Sequence, residues 1–177
     1  MTRFINLIPI MAMLIISTFV LLYITNKKDP LKPPTPLLNK NIPEFNIKNL
    51  FDSDKIFSEK NLQNKVVLIN FFASWCFPCK IEHPLFFEIK KDYPEIFLLG
   101  VNFKDKLDDA ANYLNKNGNP YSVVVSDDDG MLGFDFGVLG LPETFLVNKE
   151  GKIIFKHIGK LTREIINDKI KPLLQNL

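Results

Sequence analysis

The sequence predicts an α/β domain, a mixed central β-sheet flanked by helices, behind one amino-terminal transmembrane helix. Three observations support this. Residues 66–72 form an almost unbroken apolar run, which is typical of a central strand buried on both faces. Ile81, Leu85 and Ile89 follow it four residues apart, which is helical spacing. Residues 4–24 contain no charged side chain.

The amino-terminal run is long enough to be a membrane anchor. As a helix, its 21 residues would measure about 31 Å, which matches the hydrocarbon core of a bilayer. A cleaved secretory signal would have a shorter apolar region and a small-residue cleavage site, and no such site follows here. We therefore expect an uncleaved anchor in residues 1–25. Arg3 precedes the run and three lysines follow it, so the charge count does not favour export of the carboxyl-terminal part.

A proline-rich spacer is expected at residues 26–40, because four of its residues are proline and disfavour a helix. The globular domain should then occupy residues 41–177. The net charge of +2 comes from interspersed acidic and basic residues, so we expect no nucleic-acid partner.

Further elements follow from apolar periodicity and turn residues. Ser58 is placed to cap a short helix from Glu59, and Pro84 should kink a helix that runs from Phe77 to about Asp92. The remaining predictions are strands at 45–47, 96–101 and 123–125, a helix over 107–114, a polar turn at 126–130, an antiparallel hairpin of 144–147 with 153–158, and a closing helix over 161–173.

The only two cysteines lie in the segment Trp75-Cys76-Phe77-Pro78-Cys79-Lys80, where the strand gives way to the helix. Unpaired amides and the helix dipole at that position favour a negative charge and lower the pKa of a thiol. The thiolate is the form that attacks a disulfide, so Cys76 is the candidate nucleophile and Cys79 the resolving thiol.

Metal and haem sites are the alternatives for this cysteine pair. A structural zinc site needs four nitrogen or sulfur ligands, and only two histidines are present to complete it. A c-type haem attachment would need histidine after the second cysteine, where Lys80 stands. We therefore predict a redox dithiol with no metal and no cofactor.

The order of elements, with C-x-x-C at a helix start, resembles the thioredoxin fold from about Lys40 to the end of the chain. Trp75 before the first cysteine and Pro84 five residues after the second strengthen the resemblance. Pro142 occupies the place of the loop proline that is cis in that family and lies against the active site. On sequence alone it would be a proline that begins a strand.

A narrower resemblance is to the CcmG/DsbE family, thiol–disulfide oxidoreductases of cytochrome c maturation. It rests first on residues 137–145, GVLGLPETF. Four more segments resemble that family: residues 100–105 (GVNFKD), 118–121 (GNPY), 129–133 (DGMLG) and 170–173 (IKPL).

This resemblance implies a single-pass protein of the bacterial inner membrane with its catalytic domain in the periplasm, which overrides the charge count. It implies reduction of apocytochrome c, directly or through a maturation partner, with electrons from a thiol-reducing membrane protein. A monomer is expected.

The same resemblance bears on the proton of the buried thiol. Thioredoxin has a buried aspartate six residues before the first cysteine, but this chain has Asn70, which cannot titrate. The family points instead to Glu82 and Glu143, and a carboxylate near the dithiol can accept the proton of Cys79. The alternative is that both are solvated surface acids. Phe77 departs from the small or polar residue common at its position, which can change thiol pKa and potential.

The predicted reaction is dithiol–disulfide exchange, in which Pro142 and its neighbours offer backbone groups to a substrate strand while Trp75 shields and shapes the rim. Phe77 and Pro78 are further supporting residues of the site. Three other functions stay open. A general periplasmic disulfide reductase would differ only in its client. A copper-delivery module on this fold carries C-x-x-x-C plus histidine, a spacing that this chain lacks. A peroxide-reducing enzyme would have Thr and Arg around its reactive cysteine, and no such pair flanks Cys76.

Overall fold

The computed structural model describes residues 8–25 and 37–175. The chain divides into two compact units, residues 1–34 and 35–177. In the first unit, helix α1 spans Ile8–Thr25. None of the helices within 8–25 and 37–175 is long and apolar enough to cross a membrane. The predicted membrane span begins outside the described residues, and most of the predicted spacer also lies outside them. Both stay predictions.

The second unit is built on a five-stranded mixed sheet with strand order β5-β4-β3-β6-β7. The first three of these strands run parallel to one another, while β6 is antiparallel to β3 and β7 is antiparallel to β6. The predicted mixed sheet and closing hairpin are therefore confirmed. The strands are β3 Val67–Phe72, β4 Phe97–Phe103, β5 Val123–Asp127, β6 Glu143–Val147 and β7 Ile153–Ile158, with a separate ribbon of β1 Asn46–Lys48 and β2 Ile56–Ser58.

The helices of this unit are α2 Phe77–Asp92, α3 Leu107–Asn117, α4 Met131–Asp135, α5 Arg163–Ile165 and α6 Lys171–Leu174, with a 3-10 turn at Glu59–Leu62. Helix α2 has the predicted bounds and contains Pro84. Ser58 is the N-cap of the 3-10 turn, as predicted.

Two helical segments differ from the sequence prediction. Helix α4 was not predicted, because the residue that caps it lies four residues before its start. This residue is Asp127, whose carboxylate accepts the Leu132 and Gly133 amides at 3.0 and 2.8 Å. The predicted closing helix is interrupted by a π-helical segment, Ile166–Ile170, between α5 and α6. Pro172 follows this segment, and a proline has no N–H with which to continue the α-helical pattern.

The core has two layers, one on each face of the sheet. One layer contains both cysteines with apolar residues of α2, α3 and the carboxyl-terminal helices, and the other contains residues of α4 and the 3-10 turn. Strand β3 supplies Leu68 and Phe72 to the first layer and Ile69 and Phe71 to the second. Because side chains alternate along a strand, Asn70 lies on the α2 face with Leu68 and Phe72.

Candidate active site

A disulfide joins Cys76 to Cys79 at the amino-terminal end of α2. Cys76 is the N-cap of this helix, and its Sγ accepts a hydrogen bond from the Cys79 amide at an N···S distance of 3.2 Å. Amides in the first turn have no partner within the helix and carry partial positive charge. In the reduced protein, the same amide is placed to stabilise the thiolate of Cys76.

Solvent access does not distinguish the two cysteines in the disulfide form. Cys76 and Cys79 are each 3% exposed, because the disulfide holds both sulfur atoms in the buried layer around α2. The difference between them is therefore one of position. Cys76 is at the helix N-cap, whereas Cys79 is within the first turn.

Asp105 holds the loop that leads into the dithiol. Its carboxylate accepts the Ser74 amide at 2.6 Å and the Ser74 hydroxyl at 2.9 Å, and it accepts the Asn102 side-chain amide at 2.9 Å. The Trp75 indole N–H donates to the Lys104 carbonyl oxygen at 3.1 Å. The loop after β4 thus fixes the two residues before Cys76. Asp105 had no role predicted from the sequence, because the only feature that marked it was its place in the family-like segment of residues 100–105.

The buried disulfide is flanked by exposed aromatic side chains. Trp75 is 59% exposed and Phe77 is 73% exposed, on either side of Cys76. Pro78 lies in the first turn of α2, where a proline costs no helical hydrogen bond. The Lys80 Nζ lies 6.0 Å from the centre of the Tyr113 ring. The rim that Trp75 was predicted to shape is therefore apolar at the surface.

The Leu141–Pro142 peptide bond is cis, which confirms the isomer expected for the loop proline. Pro142 is buried at the start of β6, and its carbonyl oxygen accepts the Gly159 amide at 2.9 Å. Proline has no N–H, so Pro142 has no backbone donor, and its carbonyl oxygen already accepts a hydrogen bond.

Glu143 is completely buried, so it is not the solvated surface acid that the sequence left possible. Its Oε1 accepts the Leu139 and Gly140 amides at 2.6 and 3.2 Å, and its Oε2 lies 3.0 Å from the Lys156 Nζ. Lys156 also donates to the Gly137 carbonyl oxygen at 2.7 Å. The ion pair therefore holds the loop of residues 137–140 at three backbone groups, and sequence reasoning missed Lys156 because it lies thirteen residues further on, in β7.

Glu82 is also buried, at 1% exposure, one helical turn after Cys79. Its Oε1 accepts the Asn70 side-chain amide at 2.9 Å, and its Oε2 accepts the Leu161 amide at 2.6 Å. Burial raises the pKa of Glu82 to about 7, against the lowering effect of these two hydrogen bonds. A carboxyl group that titrates near neutral pH is suited to proton transfer.

Asn70 connects the elements around Glu82. Its amide nitrogen also donates to the Thr144 hydroxyl at 3.2 Å, and its carbonyl oxygen accepts the Tyr121 hydroxyl at 2.8 Å. Sequence reasoning treated Asn70 only as a departure from a titrating aspartate. The available signal was a single polar residue inside an otherwise apolar strand, which needs buried partners.

A groove of about 780 Å³ lies between α2 and α3, lined by Ser74, Lys80, His83, Pro84, Phe87, Asp109, Asn112, Tyr113, Lys116 and Asn117. Within it, the His83 Nε2 lies 3.0 Å from the Gly118 carbonyl oxygen at the end of α3. Burial lowers the pKa of His83, and this hydrogen bond opposes the effect. Across residues 8–25 and 37–175, no group of three or more His, Cys, Asp or Glu side chains could hold a metal ion.

Comparison with known proteins agrees with this geometry. Residues 38–156 match the AhpC/TSA family. The chain is 40% identical over 149 residues to the thiol:disulfide interchange protein HelX of Rhodobacter capsulatus, covering 84% of this chain and 83% of that protein. It is 35% identical over 177 residues to the thiol:disulfide interchange protein DsbE of Escherichia coli K12, covering 98% and 95%. The chain belongs to the AhpC/TSA family and, within it, to the DsbE-type thiol:disulfide interchange proteins.

Solved structures support the fold of this DsbE-type protein. A Chlorobium tepidum protein assigned as DsbE has a TM-score of 0.68 at 23% identity, covering 78% of this chain and 96% of that one. A secreted thiol-disulfide isomerase from Corynebacterium glutamicum has a TM-score of 0.66 at 22% identity, covering 76% and 85%. The thioredoxin-like fold predicted from the sequence is confirmed, and the chain is a thiol:disulfide oxidoreductase.

Proposed function

We propose that this DsbE-type protein reduces disulfides of apocytochrome c, or of a partner in its maturation, by dithiol–disulfide exchange in the periplasm. The observation that carries the proposal is the placement of the Cys76–Cys79 pair at the N-terminus of α2, with the buried acid Glu82 one turn later. The family segment of residues 137–145 supports the choice of client, since it contains the cis proline and the loop that leads to it.

In the reaction, the thiolate of Cys76 attacks one sulfur of the substrate disulfide. A mixed disulfide forms, and the other substrate sulfur leaves as a thiolate that takes a proton. Cys79 then attacks the Cys76 sulfur, which releases the second substrate thiolate and closes the Cys76–Cys79 disulfide. Two electrons pass from the protein dithiol to the substrate, and a thiol-reducing membrane protein returns them.

Glu82 acts as the base for the second step. Cys79 is buried and must lose a proton before it can attack, and Glu82 lies at the i+3 position on the same buried helix face. The pKa of about 7 means that Glu82 is substantially ionised near neutral pH and can take this proton. Glu143 is placed for a different role, because its charge is already paired with Lys156. We assign Glu143 to holding the loop of residues 137–140.

The peptide substrate binds along the loop before the cis proline. Pro142 has no N–H and its carbonyl oxygen is bonded to Gly159, so we assign backbone pairing with the substrate to Leu141. Trp75, Phe77 and Leu139 are large, apolar and more than half exposed, and they supply the apolar contacts of this surface.

The amino-terminal run is proposed to anchor the protein in the inner membrane, with the catalytic domain on the periplasmic side. The basis is the charge-free stretch of residues 4–24 and the family resemblance. Intact mass of the purified protein, combined with protease access from the periplasmic side, tests both parts. A mature form that starts after Ile24 would remove the anchor.

Trapping tests the client. In a Cys79→Ala variant the mixed disulfide on Cys76 cannot be resolved, so the client stays attached and can be identified by mass spectrometry. We expect apocytochrome c with its C-x-x-C-H cysteines, or a maturation partner, and no adduct in a matched Cys76→Ala variant. A broad set of unrelated periplasmic proteins on Cys76 would instead indicate a general disulfide reductase.

A further inference from the structure

The side chain of Tyr121 ends in the same buried network as the proposed proton acceptor. Its hydroxyl donates to the Asn70 carbonyl oxygen at 2.8 Å, and the Asn70 amide nitrogen donates to the Glu82 Oε1 at 2.9 Å. Tyr121 is 8% exposed, Asn70 1% and Glu82 1%. The three side chains come from the loop before β5, from β3 and from α2, and they form one chain of donors directed at the carboxylate.

We propose that Tyr121 is a positioning residue for thiol–disulfide exchange, which orients the Asn70 amide so that its N–H groups face Glu82. The proposal rests on the role of Glu82 given under Proposed function. In this role Tyr121 affects the proton transfer from Cys79 to Glu82. It acts through Asn70, not by contact with the substrate or by core packing.

The two ends of the buried Asn70 amide take different partners. With the Tyr121 hydroxyl present, the Asn70 carbonyl oxygen has its partner, and the amide nitrogen is left to donate to an ionised Glu82. Without that hydroxyl, the carbonyl oxygen loses its donor in the core, which is costly. The amide then gains by turning its oxygen toward Glu82, and a carboxyl group can donate to that oxygen only when it is protonated. Tyr121 therefore favours the ionised form of Glu82.

The sheet makes room for the Tyr121 ring at this place. Gly100 pairs with Asn70 across β3 and β4, and a Cβ at Gly100 would lie 2.8 Å from the ring Cδ2 of Tyr121. The ring also stacks on Phe72 with 5.1 Å between centroids. The absence of a side chain at position 100 thus lets the ring lie over the strand beside Asn70.

Within the described part of the chain, few titratable groups lie near Glu82. Cys79 lies one turn earlier on α2, Tyr113 lies on α3, and Tyr121 lies before β5. Burial, with a further contribution from the charge of Glu82, raises the pKa of Tyr113 to about 12 and that of Tyr121 well above its ordinary value. Both phenols therefore stay protonated at neutral pH, and Tyr121 remains a hydrogen-bond donor throughout the titration of Glu82.

The second step of exchange can be isolated with Ellman's reagent and the reduced full-length protein. Attack by Cys76 releases one thionitrobenzoate, and attack by Cys79 on the mixed disulfide releases the second. For the parent, the rate of the second phase should rise with pH as Glu82 ionises. For Tyr121→Phe, we expect its midpoint about one pH unit higher, so that the rate below the midpoint falls about tenfold.

Tyr113→Phe is the matched control, because the Tyr113 hydroxyl has no hydrogen bond to Asn70 within the described residues. It should leave the midpoint unchanged. In a Glu82→Gln background, Tyr121→Phe should have no further effect on the pH profile. Should Tyr121→Phe fail to fold, Gly100→Ala keeps the hydroxyl but displaces the ring, and it should raise the midpoint in the same direction.

The outcomes separate this inference from the function on which it rests. If Glu82→Gln abolishes the midpoint while Tyr121→Phe leaves it in place, Tyr121 is not a positioning residue and Glu82 keeps its role. If Glu82→Gln leaves the pH profile unchanged, Glu82 is not the base, and the positioning role of Tyr121 fails with it, while exchange by Cys76 and Cys79 is unaffected.

Discussion

The Glu82 carboxylate accepts a 2.6 Å hydrogen bond from the amide of Leu161, which lies 79 residues later in the chain. This bond ties the helix that carries the cysteines to the segment that follows β7. Because one carboxylate oxygen holds that amide and the other holds Asn70, the acid is fixed in the core even when it is ionised. An ionised buried group is costly, and this cost is measurable as a dependence of stability on pH.

Glu82 should contribute a fall in stability as pH rises from about 4.5 to above 7, and Glu82→Gln should remove this contribution. The folded pKa of about 7 lies above the unfolded value of 4.5, so in that window the folded protein holds a proton that the unfolded chain has lost. The free energy of unfolding then decreases with pH, by about 3 kcal/mol in total. Urea unfolding of the oxidised protein across pH measures it. Glu88→Gln, at an exposed pair with Arg163, is the control and should keep the slope.

Lys156→Met should destabilise the protein by about 3–5 kcal/mol, because it leaves the buried charge of Glu143 without its partner. Adding Glu143→Gln should recover much of this loss, since glutamine removes the charge and keeps an oxygen for the Leu139 and Gly140 amides. Chemical denaturation gives both values. Lys55→Met, at an exposed ion pair with Asp52, should have little effect on stability. Equal losses for the two lysine variants would contradict a structural role for the buried pair.

Alkylation of the reduced protein should modify Cys76 before Cys79, with a pH midpoint below that of a free cysteine. The reason is the helix N-cap position, since the two cysteines are equally buried in the disulfide form. Peptide mapping after short exposure to iodoacetamide at a series of pH values gives the order. The Cys79→Ala variant should keep the low midpoint. Faster modification of Cys79 would reverse the proposed roles.

The reduction potential should lie well on the reducing side of the approximately −120 mV of the strong oxidant DsbA. A strong oxidant has a stabilised thiolate, and in this chain the residues between the cysteines, Phe77 and Pro78, are uncharged. Equilibration with glutathione, followed by Trp75 fluorescence, measures the potential. A value near −120 mV would rule out a role as a reductant. Efficient reduction of insulin would argue against a narrow range of clients.

The sequence determined those features that depend on short stretches of chain. The apolar run of β3, the helical spacing behind it and the C-x-x-C between them predicted the strand, the helix and the position of Cys76 at the helix start. Periodicity and turn residues likewise predicted the closing hairpin. These features are local because a helix cap, an apolar period or a turn depends on residues that are close in the chain.

Tertiary structure alone decided how the polar residues of the core are paired. Glu82 meets Asn70 and Leu161, Tyr121 meets Asn70, and Glu143 meets Lys156, with separations of up to 79 residues. The sequence marked both Glu82 and Glu143 as candidate acids. Within residues 8–25 and 37–175, Glu82 has no cationic partner and a raised pKa, whereas Glu143 is paired with Lys156. A buried carboxyl group takes its pKa from its surroundings, and those surroundings come from strands and helices that only the folded sheet brings together.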